Sequence, residues 1–267
     1  MINSGKKCLL VTSFGTTYPE IDKACIAATE KRIADGFPGY EVRRAYTSEI
    51  VRKILRERDG LQVDNLRIAL KKLRDDSFRE VIIQPLHIIP GEEYHEKILK
   101  VVAEFRNDFE RIAVGNPLLT TVNDYAKTIE ALKTQLPDHC SDQAVVLMGH
   151  GSDHPSNAGY ACLQLMLMDV LPQVYVGTVE GYPALEHILP KLKAARCKKV
   201  VLMPFMLVAG DHAHHDLAGN GDNSWKSVLE KEGYQVEVYF HGLGENPAFR
   251  EIYLQHAKDC MAGAEDL

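Results

Sequence analysis

The feature that most constrains this chain is that it repeats itself. The stretch 9–17 (L-L-V-T-S-F-G-T-T) matches 145–153 (V-V-L-M-G-H-G-S-D), setting Phe14 opposite His150 and Gly15 opposite Gly151. A second match joins 81–93 to 200–212, pairing Pro85 with Pro204, Gly91 with Gly210, Glu92 with Asp211 and Glu93 with His212. Each half then closes on an Asn-Pro step, Asn116-Pro117 and Asn246-Pro247. Such self-similarity implies two copies of one supersecondary plan.

Apolar runs of strand length at 7–13, 80–89, 111–114, 144–148, 174–178, 199–208 and 235–240 alternate with helical spacing. The helical segments are 18–34, 48–58, 65–74, 94–109, 122–136, 157–171, 183–195 and 225–232. Near-continuous apolar strands alternating with helices predict α/β folding, with parallel sheets covered on both faces. The polar stretch 136–143 (L-P-D-H-C-S-D-Q) reads as a linker, which gives an N-terminal lobe over 1–136 and a C-terminal lobe over 144–267, with an active-site cleft between them.

Composition narrows the classes of partner. The net charge of −6 disfavours a polyanion such as DNA, so no nucleic acid is expected. The N-terminal residues are polar, and no apolar run reaches the ~18 residues of a membrane span. The expected setting is therefore cytoplasmic and away from membranes. Six cysteines at 8, 25, 140, 162, 197 and 260 form no Cys-x-x-Cys pair and read as buried small residues.

In open parallel sheets, ligands bind beyond the carboxyl ends of the strands. His150, Glu93 and His212 sit at such ends, and the last two occupy equivalent positions in the repeats. Two imidazoles and a carboxylate suit a borderline divalent ion while leaving coordination positions open. Ser13, Thr16 and Thr17, with the backbone near Gly15 and Gly151, are expected to cap anionic groups of a ligand, assisted by Arg43, Arg44 and Arg52. The set depends on the fold to assemble it, since no H-E-x-x-H motif occurs.

Several motifs, in order along nearly the whole chain, resemble the anaerobic (class II) cobalt chelatases. They are S-F-G-T-T at 13–17, P-L-H-I-I-P-G-E-E-Y at 85–94, M-G-H-G at 148–151, M-L-V-A-G-D-H-A at 206–213 and G-L-G-E-N-P at 242–247. The resemblance implies two Rossmann-like lobes and His150, Glu93 and His212 as the metal-contacting set. It also implies ATP-independent insertion of Co2+ into sirohydrochlorin, in anaerobic cobalamin biosynthesis. No cofactor is expected to be permanently bound: Co2+ is substrate, with Fe2+, Ni2+ or Zn2+ as possible substitutes. Ferrochelation of the same ring or of a porphyrin, and a non-enzymatic tetrapyrrole or metal carrier, are the alternatives. A homo-oligomer is compatible with the sequence.

Other residues take blander readings. His87 reads as a satisfied core histidine or a pocket wall, and Met148, Met203 and Met206 as core packing. Asp211 is the expected partner orienting an imidazole. His154, His214 and His215 receive no role, and Trp225 reads as structural, behind a cap at Asn223 or Ser224 and with a possible contact to the ring edge.

Overall fold

The computed structural model describes residues 5–138 and 142–263. The chain divides into two units, each built on its own four-stranded parallel sheet. In the first, β1 (Lys6–Ser13), β2 (Glu41–Tyr46), β3 (Phe78–Pro85) and β4 (Arg111–Val114) take the order β2-β1-β3-β4. In the second, β5 (Gln143–Gly151), β6 (Val174–Glu180), β7 (Lys199–Pro204) and β8 (Gln235–Val238) repeat that plan as β6-β5-β7-β8.

The repeat holds at the level of single backbone bonds. Thr12 pairs with Pro85 in the first sheet, and its counterpart Met148 pairs with Pro204 in the second. Just beyond, the Leu86 N–H donates to the Thr12 carbonyl as the Phe205 N–H donates to that of Met148, both at 2.8 Å. The N–H groups of Leu118 and Leu119 reach the carbonyls of His87 and Ile88, where those of Leu243 and Gly244 reach Met206 and Leu207. This last correspondence corrects the matching of the two Asn-Pro steps. It sets His241 opposite Asn116, and Thr121 opposite Asn246.

The corrected alignment makes the helices that follow equivalent. Thr121 caps Val122–Lys133 through a capping box with Asp124, and Asn246 immediately precedes Pro247–Ala262. Each of these helices joins the unit founded by the other half. Val122–Lys133 packs on Ala158–Val170 in the second unit, whereas Pro247–Ala262 packs on Ala28–Asp35 and β3 in the first. The expected division at 136–144 is therefore corrected. The first unit runs through Thr120 and resumes at Pro247, and the second spans Thr121–Asn246. Of the expected linker, residues 139–141 lie outside the described residues.

Burial explains the exchange. Phe249, Ile252, Tyr253, Leu254, Ala257 and Cys260 are buried along Pro247–Ala262, and the Tyr253 hydroxyl donates to the Leu86 carbonyl at 3.1 Å. The helix thus packs on the first sheet, while Leu10, Leu70, Leu73, Ile83 and Ile98 belong to a core cluster that includes none of its residues. The second core gathers Val146, Met148, Ile188, Leu192, Leu202, Trp225 and Leu229. Trp225 is structural, in a helix that Ser224 caps, and its ring fills the space beside Gly177.

Other boundaries differ for local reasons. β3 and β7 stop at Pro85 and Pro204, short of the expected ends at 89 and 208, because proline offers no N–H to continue the ladder. β2 and the helix Pro247–Ala262 escaped the apolar pattern. β2 is an edge strand with only Ala45 and Tyr46 buried. Cys8, Cys25 and Cys260 are buried as expected, Cys162 and Cys197 are half-buried, and Cys140 lies outside the described residues. Among the described residues, no helix is long and apolar enough to cross a membrane.

A chain ending at Asn246 therefore tests the exchange. Burying one large apolar side chain is worth about 1.5–3 kcal/mol, and a domain is stable by only ~5–15 kcal/mol in all. Losing Phe249, Ile252, Tyr253 and Leu254 together should unfold the first unit and leave the second folded. Limited proteolysis followed by mass mapping should find cuts confined to residues before Thr121; cuts spread across both units would contradict this packing.

Candidate functional site

His150 stands near the carboxyl end of β5, and the residue after it explains why it can. Gly151 has φ +82°, a left-handed conformation that favours glycine. A Cβ there would fall 1.5 Å from the Glu180 carbonyl oxygen. Glycine therefore lets β5 stay paired with β6 as far as Gly151 and Glu180, which presents the preceding imidazole at the strand end.

His212 reaches the same end of the second sheet from β7. It begins the helical turn Ala213–Leu217, which is pinned by the buried Ala213 and Leu217. The His150 and His212 rings meet edge to face, with centroids 4.6 Å apart. Both side chains stay partly open, at 43% and 38% exposure. Residues far apart in sequence are thus brought together as expected.

The ring nitrogens are already sorted. Nδ1 of His150 donates to the Gly151 carbonyl at 2.9 Å, and Nδ1 of His212 to the Asp216 carboxylate at 2.6 Å. With Nδ1 protonated, the lone pair of each neutral ring lies on Nε2, the form a metal ion requires. The orienting carboxylate is Asp216, four residues along the same turn, and not Asp211. Asp211 instead pairs with His215 at 3.2 Å.

Glu180 is a site residue that the sequence reading missed. Its carboxylate comes within 4.0 Å of His150 Nδ1 and is 61% exposed. Its only signal was its register beside Gly151. Among the described residues, no group of three or more His, Cys, Asp or Glu side chains is placed to hold a metal ion. The site is an open pair with a carboxylate within reach. The D-H-A-H-H-D loop builds no further centre: His214 lies against Phe240, and His154 caps the turn Pro155–Asn157.

Glu93 belongs to the first unit, in the short helical segment Glu92–Tyr94. One of its oxygens pairs with Lys97 at 2.5 Å, and Lys97 also reaches the Thr47 carbonyl at 3.4 Å. The other, Oε2, is buried with no hydrogen-bond partner among the described residues. Both ring nitrogens of His87 are likewise buried without a partner among those residues, so the satisfied core histidine expected there is not what the fold contains. Burial lowers the His87 pKa to about 4, although the nearby Glu93 charge opposes the shift.

The loop after β1 differs from its expected use. Ser13 and Thr16 are buried; the Ser13 hydroxyl is closed off from solvent, and that of Thr16 accepts the Tyr18 N–H at 3.3 Å. Thr17 is partly exposed and turns its carbonyl to Arg58. Gly15 has φ +92°, with the Tyr46 ring filling the place of a side chain. The three arginines expected to hold anions are engaged within the unit: Arg43 with Glu41 and Asp76, Arg44 with Asp22 and Glu30, Arg52 with Glu49 and the Val63 carbonyl. The residue that the loop does expose is Phe14.

The sequence pattern of the family Cobalt chelatase (CbiK) matches residues 7–262. The chain is 41% identical over 256 residues to the sirohydrochlorin cobaltochelatase of Salmonella typhimurium, covering 96% of this chain and 97% of the relative. It is 36% identical over 263 residues to the sirohydrochlorin cobaltochelatase CbiKC of Nitratidesulfovibrio vulgaris, covering 98% and 93%. Among solved structures, SirB from Bacillus subtilis with Fe3+ superposes with a TM-score of 0.63 at 15% identity, over 97% of both chains. CbiX, described as the terminal enzyme of siroheme biosynthesis in denitrifying bacteria, gives 0.54 at 16% identity, over 94% of this chain and 98% of that one. At these identities, both structures speak for the duplicated α/β fold.

His87 yields a pH prediction. Its folded pKa lies below the unfolded value near 6.5, so between about 6.5 and about 4 the unfolded chain takes up a proton that the fold refuses. Stability of the first unit should fall as pH drops through that window, and His87→Leu should flatten that part of the profile. Urea midpoints measured at intervals from pH 7 to pH 4 provide the check; an unchanged slope in the variant would mean that His87 is not buried in its neutral form.

Proposed function

Because the chain belongs to the cobalt chelatase (CbiK) family, we infer that it is a sirohydrochlorin cobaltochelatase, an enzyme that inserts Co2+ into the metal-free ring of sirohydrochlorin. The observation that carries the assignment of the metal site is the His150–His212 pair, with both Nδ1 atoms engaged and both Nε2 atoms left to donate. In this reading His150 and His212 hold the ion before transfer. Asp216 orients the His212 ring at 2.6 Å, and Glu180 is the carboxylate beside His150, at 4.0 Å.

Metallation replaces two pyrrole N–H protons by one divalent ion, so a proton acceptor is needed as well as an ion carrier. Glu93 takes that part, and its role as a third metal contact belongs to the same proposal. Its unpartnered oxygen supports the assignment, since a carboxylate oxygen with no donor is a ready base. Lys97 keeps the other oxygen fixed in place.

The chemistry also explains why the site is open. Two imidazoles and a mobile carboxylate bind an ion such as Co2+ without enclosing it, whereas four ring nitrogens then bind it far more tightly. A closed cage of protein ligands would compete with the product. The five described cysteines are free thiols, as suits a cytoplasmic, reducing setting.

Purified protein given metal-free sirohydrochlorin and Co2+ should form many equivalents of metallated ring per chain, followed by the ring's absorption. Stoichiometric conversion would instead mark a carrier. His150→Ala and His212→Ala should each lower the rate by about 100-fold or more, on the scale of removing a group that acts directly, with an unchanged melting temperature. Asp216→Asn should weaken Co2+ binding by roughly 10–100-fold, the usual cost of losing a group that orients a ligating imidazole. Glu93→Gln should slow insertion while Co2+ titrates the His pair as in wild type; equal rates in Glu93→Gln and wild type would remove Glu93 from the proposal.

A further inference from the structure

The register of the two sheets allows residues at their carboxyl ends to be compared position by position. Ser13 pairs with Tyr46, and its counterpart Gly149 pairs with Thr178. Two and four residues on, Ser48 therefore corresponds to Glu180 and Ile50 to Tyr182. With the repeat matches already drawn, the second unit has His150, Glu180 and His212 where the first has Phe14, Ser48 and Glu93. The positions that supply a metal site in one copy are occupied in the other by an aromatic ring, a helix cap and a carboxylate.

The first copy exposes apolar surface at this corner. Phe14 is 50% exposed and Ile50 73% exposed. The Ser48 N–H donates to the Phe14 carbonyl at 3.3 Å, and Ser48 caps the helix Glu49–Asp59, so the helix start that carries Ile50 is tied to the loop that carries Phe14. Ile54, also exposed, lies one turn further along the same face. Scattered surface apolar residues need no explanation, but a group of them around the carboxyl end of a parallel sheet marks a ligand surface. Phe14 is also held in place: its neighbour Gly15 adopts φ +92° with the Tyr46 ring against it.

We propose that Phe14, supported by Ile50, is a substrate-binding residue that seats the apolar face of the flat tetrapyrrole. This rests on the function inferred above and adds a division of labour to it. The strand-end position that became an ion ligand in the second copy became a ring contact in the first. An aromatic side chain suits that task, because it offers a large rigid face at low cost in side-chain freedom. The carboxylates of the substrate remain at the ring's rim, where an apolar seat leaves them hydrated.

The experiment is a titration of wild type, Phe14→Ala, Phe14→Leu, Phe14→Asp and Ile50→Ala with metal-free sirohydrochlorin, read by quenching of ring fluorescence, beside a Co2+ titration without the ring. Phe14→Ala should raise the Kd for the ring about tenfold. Phe14→Leu should recover most of that loss, Ile50→Ala should cost less than Phe14→Ala, and Phe14→Asp should cost more, since it sets a negative charge against a polyanion. Co2+ binding and the melting temperature should be unchanged in all four, because the side chains lie outside the core. Ring binding by Phe14→Ala within twofold of wild type would overturn this proposal while leaving the chelatase reading intact. If wild type itself neither bound nor metallated the ring, both would fall together.

Discussion

The position of the two imidazoles follows from one backbone register. Met148 on β5 pairs with Pro204 on β7, and the Phe205 N–H closes onto the Met148 carbonyl at 2.8 Å. His150 is two residues past the first of these anchors, and His212 eight past the second. A slip of one residue would turn the β5 side chains to the opposite face of the sheet. Pro204 is the last residue of β7, and its nitrogen has no hydrogen to offer a neighbouring strand.

Register brings the rings together, but it leaves open which nitrogen of each carries the proton. That is decided by two quite different acceptors: a carbonyl belonging to the very next residue, and a carboxylate one helical turn away. The two imidazoles are thus unequal in a way their residue type conceals. The exposed Glu180 carboxylate stands on the His150 side, 4.0 Å from its Nδ1.

Much of this was legible in the sequence because the signals were periodic or repeated. The strand runs, the glycine turns and the matches between halves all belong to that kind, and they located His150 and His212 at strand ends. What stayed hidden depended on partners. On Pro247–Ala262 the buried face mixes Tyr253 and His256 with apolar residues, which blurs the apolar pattern, so neither the helix nor the exchange of terminal helices could be read. The same holds for Arg43, Arg44 and Arg52, which look like anion receptors until Asp76, Glu30 and Glu49 are found beside them. β2 was missed because its Glu41, Arg43 and Arg44 serve ion pairs at a sheet edge, which breaks the apolar pattern. Glu180 lacked any motif of its own, and only its pairing with Gly151 gave it a place.

Duplication accounts for why one fold can hold both an ion site and its opposite. Immediately after a fold is copied, both strand ends carry the same side chains, and the backbone that presents them is fixed by bonds no side chain supplies. The equivalence of Gly15 and Gly151, at φ +92° and +82°, shows that this backbone persists in both halves. Side chains placed there are largely solvent-facing, so replacing one costs little stability. An imidazole at position 150 and a phenyl ring at position 14 are therefore interchangeable as far as folding is concerned, and chemistry alone distinguishes them. What the two halves share is their hydrogen-bonded frame, and the residues at the strand ends are where they differ.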